Sequence, residues 1–307
     1  MEFLLPQFSK EMEFIMPPVG EGNKAPRLRI ANYYHNLGRN DGNPLYMWHA
    51  FGSHPSGLIE SGHMIPNGDW LPFGEWDLHF QADWAEDALK GILPYTPTDL
   101  PHPNAFWASD THLGYDWRLQ HSKKFDYVFC CQKRAVEEFK RDGISNPIWL
   151  PHAFEPMAYF LEPAVPKYDV CFIGHINSEN RIVALDTLFK NFPNFFYGQR
   201  VFEWASEIYS QSKIVFNISI KDDLNMRVFE VLGSGSFLLT NNIPDIHELF
   251  RDGEHLVTYS DTHDMVDKIR YYLKHDDERQ RIAKAGYEEV ISKHTFAHRV
   301  EKILEVT

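Results

Sequence analysis

Residues 224–250, LNMRVFEVLGSGSFLLTNNIPDIHELF, decide the fold. Val228, Val231 and Leu232 recur at the spacing of one buried helical face. Gly233 and Gly235 follow, where a chain leaving a helix needs a backbone that glycine tolerates. The apolar run 237–240 fits a parallel strand covered on both sides. Pro244 suits the first turn of a further helix, where its missing N–H costs nothing. The stretch therefore predicts helix, tight turn, buried strand and helix, with one carboxylate, Glu230, a turn before the glycines.

The same alternation continues on both sides. Strands are expected over 168–174, 195–197, 213–218 and 256–259, and helices over 178–189 and 202–210. Residues 262–305 read as helical, with Ile269, Tyr272, Leu273, Ile282 and Ala285 on the buried faces. Alternation of this kind implies right-handed βαβ units and a parallel sheet. Pro151, Pro156, Pro163 and Pro166 crowd residues 151–167 and mark a linker. Before it, strands are expected over 28–34, 76–81, 104–108, 125–131 and 147–150, and helices over 45–51 and 134–141. Residues 52–75, rich in Gly, Pro, His and Asn, read as mostly loop. Two domains follow, 1–160 and 161–307.

Composition narrows the function. A net charge of −13 argues against nonspecific nucleic-acid binding, which needs a basic surface. No apolar run reaches the length of a membrane span, and the first residues lack the features of a signal peptide. Cys130, Cys131 and Cys171 are odd in number with apolar neighbours, so they read as buried thiols of a reducing compartment, and a cytoplasmic location is expected. Neither Cys-x-x-Cys nor His-Glu-x-x-His occurs, so no metal site is expected.

The Glu230 segment resembles the donor site of GT-B glycosyltransferases, most closely the CgeB-like group related to the "group 1" transferases. The likeness continues through residues 252–304 to His294-Thr295-Phe296, and upstream to residues 168–174, YDVCFIG. It implies the GT-B fold: two Rossmann-like parallel-sheet domains facing a cleft, with the last helix crossing back onto a small, divergent first domain. It also implies a nucleotide-sugar donor on the second domain, with Glu230 on the ribose hydroxyls and the glycine turn against the diphosphate.

On the donor side, a carboxylate at Glu230 can accept two hydroxyl hydrogen bonds at once. Backbone N–H groups around Gly233, Ser234 and Gly235, and the helix after Gly174, are candidate diphosphate ligands. Arg227 and Arg181 are candidate cations. The resembled families pair two acidic residues with seven between them. Here the partner of Glu230 is Asp222, one methylene shorter, and Asp223 is equally near. On the acceptor side, residues 106–114 resemble the Trp-x-x-Asp element of the CgeB-like group and end a strand at the sheet's carboxyl edge. Asp110 and His112 are candidate general bases, and on an extended strand they would point the same way. His35, just after the first strand, is a third candidate. Trp107, His152 and the loop with Gly38 and Gly42 are assigned to the acceptor side.

These readings predict a glycosyltransferase moving a sugar from a nucleotide donor to a hydroxyl acceptor on a glycan, a protein or a modified nucleobase. It needs no cofactor and no metal, and retention of configuration is favoured. A non-catalytic nucleotide- or glycan-binding protein and a nucleotide-sugar epimerase are the alternatives.

Overall fold

The computed structural model describes residues 28–33, 43–53, 59–63, 76–83, 100–158, 164–199 and 204–307. The first sheet contains β1 (Leu28–Tyr33), β2 (Ile59–His63), β3 (Leu78–Ala82), β4 (Asn104–Ala108), β5 (Tyr127–Cys130) and β6 (Ile148–Trp149), in the order β2-β1-β3-β4-β5-β6. The second contains β7 (Tyr168–Ile173), β8 (Phe195–Gly198), β9 (Ser212–Asn217), β10 (Leu238–Asn241) and β11 (Val257–Tyr259), in the order β11-β10-β9-β7-β8. Every pairing within both sheets is parallel. Each sheet reverses its winding once, between β1 and β3 and between β7 and β9. Ligands of open α/β sheets bind outside the strand carboxyl ends at such switch points.

The carboxyl edges of the two sheets face each other. Gln132, after β5, donates to the Asp223 carboxylate beyond β9 at 2.6 Å. The Lys133 amide donates to Asp245 beyond β10 at 3.0 Å, and the Lys133 ammonium meets Glu248 at 2.7 Å. Lys221 reaches the His112 carbonyl at 3.1 Å.

The last helix, Phe296–Leu304, crosses back to the first sheet. Phe296 packs edge-on against Tyr46 of the helix Asn43–Gly52 and against Trp107 of β4. Arg299 donates to the carbonyls of Pro151 and His152 at 2.8 and 2.9 Å. Phe154 exchanges backbone bonds with His294 and Phe296. As a result one apolar cluster runs through both halves, from Ile30, Phe80 and Phe129 through Phe154 and Phe296 to Val215, Val231 and Leu238. A hinge buried in so continuous a core restricts relative motion of the halves.

Several expectations are corrected. The stretch 52–75 is not all loop, since it holds β2, an edge strand of sequence IESGH. Its pairing with β1 rests on backbone bonds, and its composition carries no apolar alternation to betray it. Helix Tyr115–Ser122 was not anticipated either; its mean character is polar, although Arg118, Leu119 and His121 are buried. The helix expected at Pro244 is a single turn, Ile246–Leu249. All three cysteines are buried and free. Among the described residues no helix is long and apolar enough to cross a membrane.

Candidate active site

The second-sheet wall of the cleft centres on the switch between β7 and β9. Helix Met226–Gly233 starts there, with Asn225 as its cap residue but no side-chain cap bond. The first N–H groups of a helix have no intrahelical acceptors and carry partial positive charge. Arg227, in that first turn, bonds Asn217 at the end of β9 at 2.9 Å and lies over the Phe172 ring. A Cβ on Gly174, at the end of β7, would come within 2.5 Å of the Arg227 guanidinium. The glycine thus lets the arginine lie against the β7 turn. Glu230, one turn further on, is buried. Burial and the neighbouring Glu230 push the Tyr209 hydroxyl up, while Arg227 hydrogen-bonds it, so these three side chains form one group.

The amides of the expected phosphate cradle are engaged within the helix end. The amides of Ser234, Gly235 and Ser236 are bonded to the carbonyls of Glu230, Leu232 and Val231. The Ser234 hydroxyl also bonds the Glu230 carbonyl, at 2.8 Å. These residues close the helix and have no N–H to offer a ligand. Only Gly235 takes the left-handed backbone, at φ 68°. Gly233 stays helical, and its missing side chain makes room for the Phe154 ring of the hinge. At the opposite end of the same helix Asn225 makes no side-chain cap bond, and the first amides have no acceptor in a preceding turn of the helix.

Arg181 is likewise a strut. It bonds the Ile218 carbonyl twice, the His175 carbonyl and the Asn177 side chain, tying the β7 turn to the β9 turn. Asp222 is exposed and Asp223 buried. Lys221 and Asp222 sit at φ 50° and 58°, a left-handed conformation that costs non-glycine residues energy. These two residues turn the chain so that Asp223 points inward, and no sequence spacing reveals that turn.

The first-sheet wall supplies Asp110 and His112. β4 ends at Ala108, and residues 109–113 form a turn, with the Leu113 amide bonded to the Asp110 carbonyl. The turn is pinned by Asp83, beyond β3, whose carboxylate accepts from the Ser109 amide and hydroxyl, the Asp110 amide and Arg118. Asp110, His112 and Asp223 converge, their candidate ligand atoms all within 4.8 Å of one another. Burial raises the Asp110 carboxyl above its usual range, against the pull of Arg118. Burial pushes Asp223 up to about 7, with Gln132 opposing and Asp110 adding to the shift. Burial, with Arg118, Lys221 and Arg134 nearby, brings the His112 imidazole down to about 4. At neutral pH that ring is uncharged.

Two acceptor-side expectations fail. Trp107 is a core residue, with no exposure, and its indole N–H donates to the Leu150 carbonyl at 2.8 Å. His152 is buried behind the cluster, 3.9 Å from the Cys131 sulfur, and burial lowers it to about 3. His35, Gly38 and Gly42 lie outside the described residues. Sequence reasoning missed Gln132 and Arg118, because neither belongs to the segments that carry the chemistry.

Two facing parallel-sheet domains joined by a crossing helix define a GT-B fold, and known structures agree. Anabaena HepE in complex with UDP and glucose matches at a TM-score of 0.62 and 12% identity, over 91% of this chain and 99% of that one. Sucrose-phosphate synthase from Thermosynechococcus elongatus matches at 0.60 and 11%, over 91% and 98%. TarM of S. aureus, in complex with UDP and alpha-GlcNAc-glycerol among others, matches at 0.55 and 12%, over 74% of this chain and 55% of that one. The chain thus spans about half the length of TarM. No curated protein sequence matches it. The sequence model of the glycosyl transferase-like family matches residues 159–305.

Proposed function

We propose that the protein transfers a glycosyl group from a nucleotide-sugar to a hydroxyl acceptor, with the donor on the second-sheet half and the acceptor on the first. The observation that carries this reading is the uncapped start of helix Met226–Gly233, set beside Arg227 and Gly174 at a sheet switch point. A diphosphate there meets the N–H groups of a helix start and a guanidinium, so donor binding needs no metal. Glu230, a turn along the same helix, accepts the ribose hydroxyls. Negative charge develops on the leaving diphosphate as the glycosidic bond breaks, and the same groups stabilise it.

The acceptor hydroxyl approaches from the Asp110–His112 side. Carboxyls whose pKa is raised accept a proton more readily than ordinary ones, which suits Asp110 and Asp223 to relieve the attacking hydroxyl. Retention of configuration is the expected outcome, from the likeness of the Glu230 segment. UDP is the first probe, since HepE and TarM structures contain it. Calorimetry should show UDP binding, and UDP-glucose or a related UDP-sugar should release UDP in the presence of an acceptor. NMR of the product then reads the anomer. Absence of binding by a panel of nucleoside diphosphates and their sugars would remove the reading.

A further inference from the structure

We propose that Asp110, His112 and Asp223 form a divalent-cation site that bridges the two walls of the cleft. The site draws its ligands from both halves of the protein: Asp110 and His112 follow β4 of the first sheet, and Asp223 follows β9 of the second. It rests on the proposed function only in using the same cleft and the same two carboxylates.

The cluster is more than a gathering of acids. The His112 side chain is 5% exposed, and its Nδ1 is buried with no hydrogen-bond partner. That nitrogen stands 3.9 Å from Asp223 Oδ1. A buried polar atom left unsatisfied is costly, and most in folded proteins find a partner. A cation between the imidazole and the carboxylates would provide one. The mutual spacing, within 4.8 Å, is close to that of a bound set. Ligands of an octahedral ion with bonds of about 2.1 Å lie about 3.0–4.2 Å apart. Small side-chain rotations close the difference.

The surroundings are those of an oriented site. Gln132 holds Asp223 at 2.6 Å, Asp83 holds the Asp110 amide, and Lys221 holds the His112 carbonyl. Outer partners of this kind fix ligand orientation in metal sites. Positive groups are also near. Arg118 is neutralised by Asp83 at 2.5 Å, and Lys221 and Arg134 remain. Against them stand the two carboxylates that the cation would join. Two carboxylates and one imidazole suit Mn²⁺, whose remaining positions would stay open to water or to an acceptor hydroxyl. Sequence patterns could not show this set, because one ligand lies more than a hundred residues from the others.

The test uses the full-length protein, stripped with EDTA and titrated with MnCl₂ without nucleotide. One Mn²⁺ per chain should bind by calorimetry, and its electron spin-echo spectrum should carry modulation from one imidazole nitrogen. Asp223→Asn and His112→Ala should each weaken binding by roughly 100-fold. Asp222→Asn, at the exposed neighbour, should leave it unchanged. UDP affinity should be the same with and without Mn²⁺, so the cation site and the donor site can fail separately. No uptake of Mn²⁺, or uptake indifferent to both ligand variants, overturns the proposal. If a variant does not fold, the wild-type spectrum decides, and absence of the nitrogen modulation overturns it equally.

Discussion

The two walls of the cleft are built differently. The second-sheet wall takes Glu230, Arg227 and the helix start from one contiguous segment, and its charge is cationic where the helix begins. The first-sheet wall is assembled from turns after β3, β4 and β5, and its titratable groups include carboxyls whose protons burial makes hard to remove. A wall made from one segment suits an anion that must be held the same way each time. A wall made from several strand ends suits groups that exchange protons with a reacting hydroxyl. Under the proposed function the difference assigns binding to one side and chemistry to the other, and each assignment can be broken.

The largest effect should come from the chemical wall. Asp110→Ala or His112→Ala should lower turnover of a UDP-sugar by about 10²–10⁴-fold, the usual contribution of acid–base groups. Initial rates of UDP release check this. Full activity in both variants would move the chemistry to residues beyond these two, with His35 the next to test.

Next in size is the seam between the walls. Gly233→Ala places a methyl group into the Phe154 ring. Overpacking of that kind costs about 1–3 kcal/mol, read as a lower denaturation midpoint. An unchanged midpoint would show that the hinge can yield and that the two halves are less firmly joined than their shared core implies.

The titration of Asp223 sharpens the contrast. Its folded pKa of about 7 lies above its unfolded value, so the folded protein holds that proton longer. The stability this supplies is complete below the unfolded pKa and fades as pH rises through about 7. In EDTA, Asp223→Asn should therefore gain stability relative to wild type between about pH 4 and pH 8, on the order of 1–3 kcal/mol. Denaturant melts across that range measure it, and a difference independent of pH would contradict the buried placement of Asp223.

The smallest effect tests the proposed diphosphate site at the helix start. Ser234→Ala removes only a capping bond to the Glu230 carbonyl. It should cost about 0.5–1.5 kcal/mol of stability and leave UDP affinity alone. A marked loss of UDP affinity would return the diphosphate to the glycine turn.

The legibility of the sequence divides along the same line. β7, β9, β10 and the helical character of residues 262–305 followed from periodicity, because short connections and continuous apolar runs leave few alternatives. The Glu230 helix was legible, yet the bonding of its glycine-end amides within the helix was not. Glycines advertise a turn, whereas a helix start without a side-chain cap advertises nothing. Asp110 and His112 were found from their place after a strand, although a turn rather than an extended strand brings them together. Asp223 was legible only as a neighbour of Asp222. Choosing between the two needs the left-handed pair at Lys221 and Asp222, a tertiary outcome. Trp107 illustrates the opposite error: an aromatic near a site is core when its indole N–H finds a buried carbonyl.

The division of labour is tested most directly by UDP calorimetry on Glu230→Ala and Asp110→Ala side by side. Glu230→Ala should lose about 1.5–3 kcal/mol of binding free energy, the scale of charge-assisted hydrogen bonds, and Asp110→Ala should bind UDP as the wild type does. Equal losses in the two variants, or a loss confined to Asp110→Ala, would contradict it.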